Sequence, residues 1–203
     1  MSVLAGKVVV FNGPPGSGKD TLGKFIMGAT QAKHMEFKRH LIKLALMISG
    51  VSSSDWDFWY REDKEQPHND LGGHSCRSFL IMVSEEMIKP HMGSDYFGLA
   101  AATELDMYLP GHGVVFTDSG FSAELQCVVN VAGADNVIVV QLVRDGTDFS
   151  KDSRTYLSPG DFPEVTFLAQ NNNGPAEEVA AELMGLLRLT VDLSAKPQTR
   201  ETV

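Results

Sequence analysis

Val8-Val9-Val10-Phe11-Asn12-Gly13-Pro14-Pro15-Gly16-Ser17-Gly18-Lys19-Asp20-Thr21 is the stretch that decides how this chain folds. An apolar run, the signature of a buried strand, leads into G-x-x-x-x-G-K, a glycine-rich turn that passes a chain from strand to helix. In such a turn successive backbone N–H groups and a lysine ammonium surround a polyphosphate. Gly13, Gly16 and Gly18 are expected to take positive φ and to let the backbone approach phosphate oxygens with no Cβ in the way. Lys19 then offers a point charge to the β- and γ-phosphates, and the helix it opens directs its positive end at them. Leu22, Phe25, Ile26 and Ala29 follow at helical spacing, which supplies the context the motif needs. The plain alternative is a turn that binds nothing. Asp20 stands where many such loops place a Mg²⁺-binding hydroxyl; here the hydroxyl comes one residue later, at Thr21.

Outward from this motif, apolar strands alternate with helical stretches, a pattern that predicts a parallel sheet with helices on both faces. Strands are expected at about 7–12, 114–118, 137–143 and 165–168, and helices at about 19–31, 38–49, 75–88, 94–108, 121–132 and 175–187. Residues 51–74, polar, aromatic and glycine-containing, read as a flap or mobile insertion, and 144–160 as a charged excursion able to close as a lid. The expected organisation is one domain over 1–190, with an insertion at about 38–90, a lid at about 144–162, and a tail at 191–203 that holds few core positions.

The chain has 203 residues, 43% of them apolar, which is enough for one well-cored domain. No stretch approaches the ~20 apolar residues that span a bilayer, and a cytoplasmic protein is expected. The net charge of −9 argues against a partner that is a polymeric nucleic acid, so phosphate chemistry has to rely on local basic clusters. Cys76 and Cys127 are far apart and fit buried thiols rather than a zinc site or a disulfide framework.

Ligands of such sheets bind at the carboxyl ends of the strands. That rule selects Gly13 to Lys19, Asp118, Arg144 and the turn Asn171 to Gly174. Asp118 reads either as a ligand of Mg²⁺ or its waters, or as an N-cap for the helix near Phe121. Lys19, Arg144, Lys151 and Arg154 are candidates for neutralising a transferring phosphoryl group. Arg39 and Arg77, suited to bidentate phosphate recognition, are candidates for holding an acceptor, with Lys38 and Lys89 in the same basic sets. Trp56, Phe58, Trp59 and Tyr60 are candidates for stacking on a base, or for packing.

The string Gly13 to Thr21 resembles the P-loop of adenylate-kinase-like nucleoside monophosphate kinases, and more of the chain is similar to the deoxynucleoside monophosphate kinases of bacteriophages. The similarity runs through Phe37-Lys38-Arg39-His40-Leu41-Ile42-Lys43, Leu71-Gly72-Gly73-His74-Ser75-Cys76-Arg77 and Asp95-Tyr96-Phe97. It continues through Asp118-Ser119-Gly120 with Glu124, Val143-Arg144 and Asn173-Gly174. Gly120 departs from an expected arginine, Lys89 stands for another, and Arg154 lies where such lids often carry histidine.

The resemblance implies a P-loop NTPase-type three-layer α/β/α fold, with a five-stranded parallel sheet, a helical flap for the monophosphate, and a lid. It implies transfer of the γ-phosphoryl of ATP, with Mg²⁺, to a (deoxy)nucleoside monophosphate. Gly13, Pro14, Gly16, Ser17, Gly18, Lys19, Asp20, Thr21, Arg144 and Asn173 would then bind ATP, and Lys19, Asp20, Arg144 and Arg154 would act in catalysis. Lys38, Arg39, Arg77, Lys89 and Asp118 would bind the acceptor, and Thr21 and Asp118 would serve the metal. The cytoplasm would be the host's if the chain is phage-encoded, and a homodimer is among the assemblies left open. Rival readings are a P-loop kinase for another small acceptor, such as dephospho-coenzyme A or a sugar acid, and a nucleotide-dependent switch.

Overall fold

Val8–Asn12 (β1) is buried at every position and forms the middle of the sheet. The computed structural model describes residues 3–109, 111–150 and 152–195. After the glycine-rich turn, Lys19–Thr30 (α1) returns the chain to Lys33–Met35 (β2), a three-residue edge strand. A helical stretch then intervenes: Lys38–Ser49 (α2), Ser53–Asp63 (α3), Cys76–Ile81 (α4), a π-helical continuation over Met82–Ile88, and Lys89–Met92 (α5). Tyr96–Tyr108 (α6) leads to Val114–Ser119 (β3), and Ser122–Ala132 (α7) to Val137–Val143 (β4). Thr166–Asn171 (β5) and Ala176–Ala195 (α8) close the domain.

The sheet is parallel throughout, in the order β2-β3-β1-β4-β5. Its register aligns the strand ends: Asn12 pairs with Ser119 and with Gln141, and Val143 pairs with Asn171. The segments that leave β1, β3, β4 and β5 therefore emerge along one rim. Alternation along β1 divides the core. Val8 and Val10 pack with Leu105 of α6 and Leu125 and Val128 of α7, while Val9 and Phe11 pack with Leu22 and Ile26 of α1 and Leu183 and Leu187 of α8. These are the three layers of an α/β/α domain.

Several boundaries differ from the sequence reading. The fifth strand, for which no residues were picked out, is β2, whose Lys33-His34-Met35 is too short and polar to show a strand pattern. Residues 51–74 contain α3 rather than a flexible flap. Ser52 caps it by accepting the Asp55 N–H at 3.1 Å, and Trp56 is buried in a separate apolar cluster with Ala45, Leu71, Cys76, Phe79, Leu80 and Val83. The helix at 75–88 begins on a capping box between Ser75 and Ser78 and widens into π geometry before Pro90, which has no N–H to give the next turn. The expected lid at 144–162 is not all a surface excursion, because Leu157 and Phe162 are buried in the core. Helix α8 continues to Ala195, so 191–195 is helical rather than tail; residues 196–203, like Lys151, lie outside the described residues.

Candidate active site

The turn after β1 supplies the first wall of the site. Gly16 and Gly18 take φ of 81° and 93°, as the sequence pattern requires, whereas Gly13 does not have positive φ. Gly13 is needed for packing instead, since a Cβ there would lie 2.9 Å from the Leu142 carbonyl oxygen on β4. Lys19, at the first position of α1, folds back over its own loop and donates to the carbonyls of Gly13 at 2.6 Å and Pro14 at 2.8 Å. Burial, then the nearby Arg154 guanidinium, lowers its pKa to about 8. The ammonium is thus held in a dry place by carbonyls, the arrangement a phosphate oxygen would relieve.

Asn172, immediately after β5, donates from Nδ2 to the Ser17 carbonyl at 2.6 Å and locks the loop to the sheet rim. Asn173, the residue expected at the nucleotide, accepts the Asp145 N–H at 2.9 Å and does not reach the cavity. Neither Asn172 nor Asn173 lines the cavity. Arg144 extends from the end of β4 along the loop and donates to the Gly16 carbonyl at 3.3 Å.

Above the loop lies a cavity of about 580 Å³, within the size range of small-molecule sites. Its walls come from the glycine-rich turn, α2, α3, α4, the π-helical segment, α6, the end of β3 and residues 152–154. Lys19, Lys38, Lys64, Arg77, Lys89, Arg144 and Arg154 face it, against the carboxylates Asp20, Glu85, Asp118, Glu124 and Asp152. Positive groups therefore outnumber negative ones in this cavity of a chain whose net charge is −9.

Asp152 organises the middle of the cavity. Its carboxylate accepts from Arg154 Nε at 2.9 Å and Nη2 at 2.6 Å, and lies 3.6 Å from Arg77 Nη2. Although burial works against ionisation, these guanidinium contacts hold its pKa below the ordinary value. Arg154 also donates to the Asp118 carbonyl at 3.1 Å. Gly120 makes that possible: a Cβ there would lie 2.4 Å from Arg154 Cβ. The missing arginine after Asp118 is thus linked to the unexpected arginine at 154, whose stem occupies the space above Gly120.

The carboxylate of Asp118 does not cap the helix near Phe121, one of the two alternatives the sequence offered. Its Oδ1 accepts the Phe37 N–H at 3.0 Å and its Oδ2 the Lys38 N–H at 2.9 Å, so it caps α2 rather than the helix near Phe121. Burial pushes its pKa up, against the pull of Lys38. Lys38 pairs with Glu36 at 2.8 Å. Its burial is outweighed by Glu36 and Asp118, so its pKa stands above the usual lysine range.

Arg39 is not on the cavity wall. It donates to Glu104 on α6 at 2.8 Å and to the His34 carbonyl at 3.1 Å. The turn of α2 that brings Lys38 to the cavity carries the next residue away from it, which removes Arg39 as an acceptor ligand. Arg77 does face the cavity, with Glu65 at 3.4 Å. Lys89 pairs with Glu85 at 2.6 Å and lies 4.1 Å from the centroid of the Phe121 ring. Of the four aromatic candidates from α3, only Tyr60 lines the cavity; Trp56 is core and Trp59 stacks on His68 at 4.0 Å.

The donors fit a magnesium ion that arrives on phosphate oxygens better than one caged by protein. Among the described residues no three His, Cys, Asp or Glu side chains gather at a metal-binding spacing. Both Asp118 oxygens already accept backbone N–H groups, so it is placed to hold a metal-bound water rather than the ion, while Thr21 and Asp20 face the cavity from α1.

Asp152 and Lys64 line the cavity and are site residues that sequence reasoning missed. Ser52-Ser53-Ser54-Asp55, a helix-start signal, could have placed Lys64 just beyond an ordered helix. Nothing local marks Asp152.

No protein-family model and no curated protein sequence matches the chain. Solved structures similar to it include a shikimate kinase from Acinetobacter baumannii in complex with shikimate, at 12% identity and a TM-score of 0.48 over 94% of this chain and 96% of that one. A thymidylate kinase from Candida albicans is similar at 11% identity and a TM-score of 0.49, over 95% and 94%. A gluconokinase from Sinorhizobium meliloti 1021 is similar at 17% identity and a TM-score of 0.44, over 94% and 96%. The chain's own sheet order and turn define it as a three-layer α/β/α protein with a P-loop. Among the described residues no helix is long and apolar enough to cross a membrane.

Proposed function

We propose that this protein is a kinase that transfers the γ-phosphoryl group of ATP to the 5′-phosphate of a (deoxy)nucleoside monophosphate. The observation that carries this reading is a single cavity walled both by the P-loop and by the helices between β2 and β3, with arginines from the 144–165 segment between them. Lys19 and the backbone of 13–21 hold the triphosphate, and Arg77, Lys38, Lys64 and Lys89 receive the acceptor. An acceptor phosphate oxygen forms the new bond to Pγ, the bond to the β–γ bridging oxygen breaks, and ADP leaves with that electron pair. Arg144 and Arg154 neutralise the charge that spreads over the equatorial oxygens. A magnesium ion brought in with ATP would supply further neutralising charge, with Thr21, Asp20 and Asp118 the residues that would hold it or its waters. The acceptor phosphate is ionised near neutral pH, so no general base is required.

Phe37, Leu41, Leu80, Ile81, Phe97 and Phe121 also line the cavity. Flat and apolar walls favour an acceptor that carries a heterocycle over a polyol or sugar acid, whose hydroxyls would be left unpaired. The test is ADP release in the presence of each common ribo- and deoxyribonucleoside monophosphate, with gluconate and shikimate as controls. Turnover with at least one nucleotide acceptor is expected. Lys19→Ala should lose most of it, and Arg77→Ala should raise acceptor KM while Arg39→Ala leaves that KM unchanged. Activity with the sugar acids alone would overturn the proposal.

A further inference from the structure

Glu124 has no task in the phosphoryl transfer described above, yet it is placed at a cost. It lies in the first turn of α7, is 5% exposed, and faces the cavity. Among the described residues its carboxyl group takes part in no hydrogen bond or ion pair, and the charged groups around it are Asp118, Lys89, Arg154 and Glu85. Each of these has another partner: Asp118 caps α2, Lys89 pairs with Glu85, and Arg154 with Asp152. A buried polar group left unpaired in a folded chain is unfavourable. A ligand that pairs with it accounts for its presence.

The surroundings define that ligand. The Phe97 and Phe121 rings and the apolar Leu80 and Ile81 line the same cavity, beside Ser84. Burial, then the negative charge of Asp118, raises the Glu124 pKa to about 8, so near neutral pH the group is chiefly a carboxylic acid. A carboxylic acid donates from O–H and accepts at C=O on one edge. A nucleobase presents the complement, an N–H beside a C=O in guanine, thymine and uracil, or an amino group beside a ring nitrogen in adenine and cytosine. Carboxylate-bearing acceptors meet Asp118 and Glu85 there and are disfavoured.

We propose that Glu124 reads the nucleobase of the acceptor, its carboxyl group making a two-point hydrogen bond with the base edge. This inference rests on the kinase reading and adds the residue that recognises the acceptor's base.

The test compares the parent, Glu124→Gln and Glu124→Leu in steady-state kinetics with nucleoside monophosphates and with ribose 5-phosphate, which carries the phosphate and no base. An amide also donates and accepts on one edge, so Glu124→Gln should keep the acceptor KM within about threefold of the parent. Glu124→Leu should raise acceptor KM by about 10- to 100-fold, leave the KM for ATP unchanged, and leave any turnover of ribose 5-phosphate unchanged. It should also unfold at no lower temperature than the parent, because it removes a carboxyl group whose charge burial opposes.

Three outcomes overturn the proposal while the kinase reading stands. They are an unchanged acceptor KM in Glu124→Leu, a loss in Glu124→Gln equal to that in Glu124→Leu, or a matching loss toward ribose 5-phosphate. If the parent phosphorylates no nucleoside monophosphate at all, the kinase reading fails and this inference fails with it.

Discussion

Lys19 donates its ammonium to two carbonyls of its own loop, in a place dry enough to lower its pKa to about 8. A polyphosphate arriving there favours the charged form and raises that pKa again. The sign follows directly: below about pH 8 the lysine is already protonated and ATP affinity is at its full value, while above it binding must take up a proton. Affinity should therefore fall as pH rises through 8, by at most about tenfold per unit. Titration calorimetry at pH 9 in two buffers of different ionisation enthalpy should show proton uptake on ATP binding, and Lys19→Met should show none. The same loop illustrates how far residue identity can be read from sequence. Gly18, Lys19 and Thr21 lie where the motif puts them, but that Asn172 ties the loop down is set by where β5 ends.

Gly120 and Arg154 belong to different elements and share one volume, the glycine at the exit from β3 and the arginine in the segment between β4 and β5. That packing sets the direction of the guanidinium, which bridges Asp152 and the Asp118 carbonyl. Gly120→Ala places a methyl group where the Arg154 stem now lies and should displace the arginine without touching the P-loop. We expect kcat to fall at least about tenfold, the loss of one charge-assisted contact worth ~1.5–3 kcal/mol, with ATP affinity within about twofold of the parent. Equal losses in kcat and ATP affinity would show that the effect spreads through the fold. Cap geometry belongs to this scale too: α2 has no side-chain cap from its own sequence, and Asp118, roughly eighty residues later, provides it.

Across the molecule, both tryptophans of the chain, Trp56 and Trp59, lie on α3, whose apolar cluster is separate from the two that flank the sheet. Their fluorescence consequently reports on the helical stretch between β2 and β3. A nucleoside monophosphate bound beside Tyr60 and Arg77 should change it, and an ATP analogue alone should not; equal responses would contradict separate sites for donor and acceptor. The sequence by itself determined the alternation of strands and helices, the P-loop and its lysine, and nearly every helix boundary in the core, because these depend on local periodicity and on backbone freedom at glycine. Tertiary structure alone decided that Arg39 turns to Glu104 while Arg77 faces the cavity, that Asp118 caps a distant helix, and that Asp152 gathers two arginines. Those outcomes depend on the rotational setting of each helix against the sheet and on contacts between residues tens of positions apart, and no local pattern encodes either.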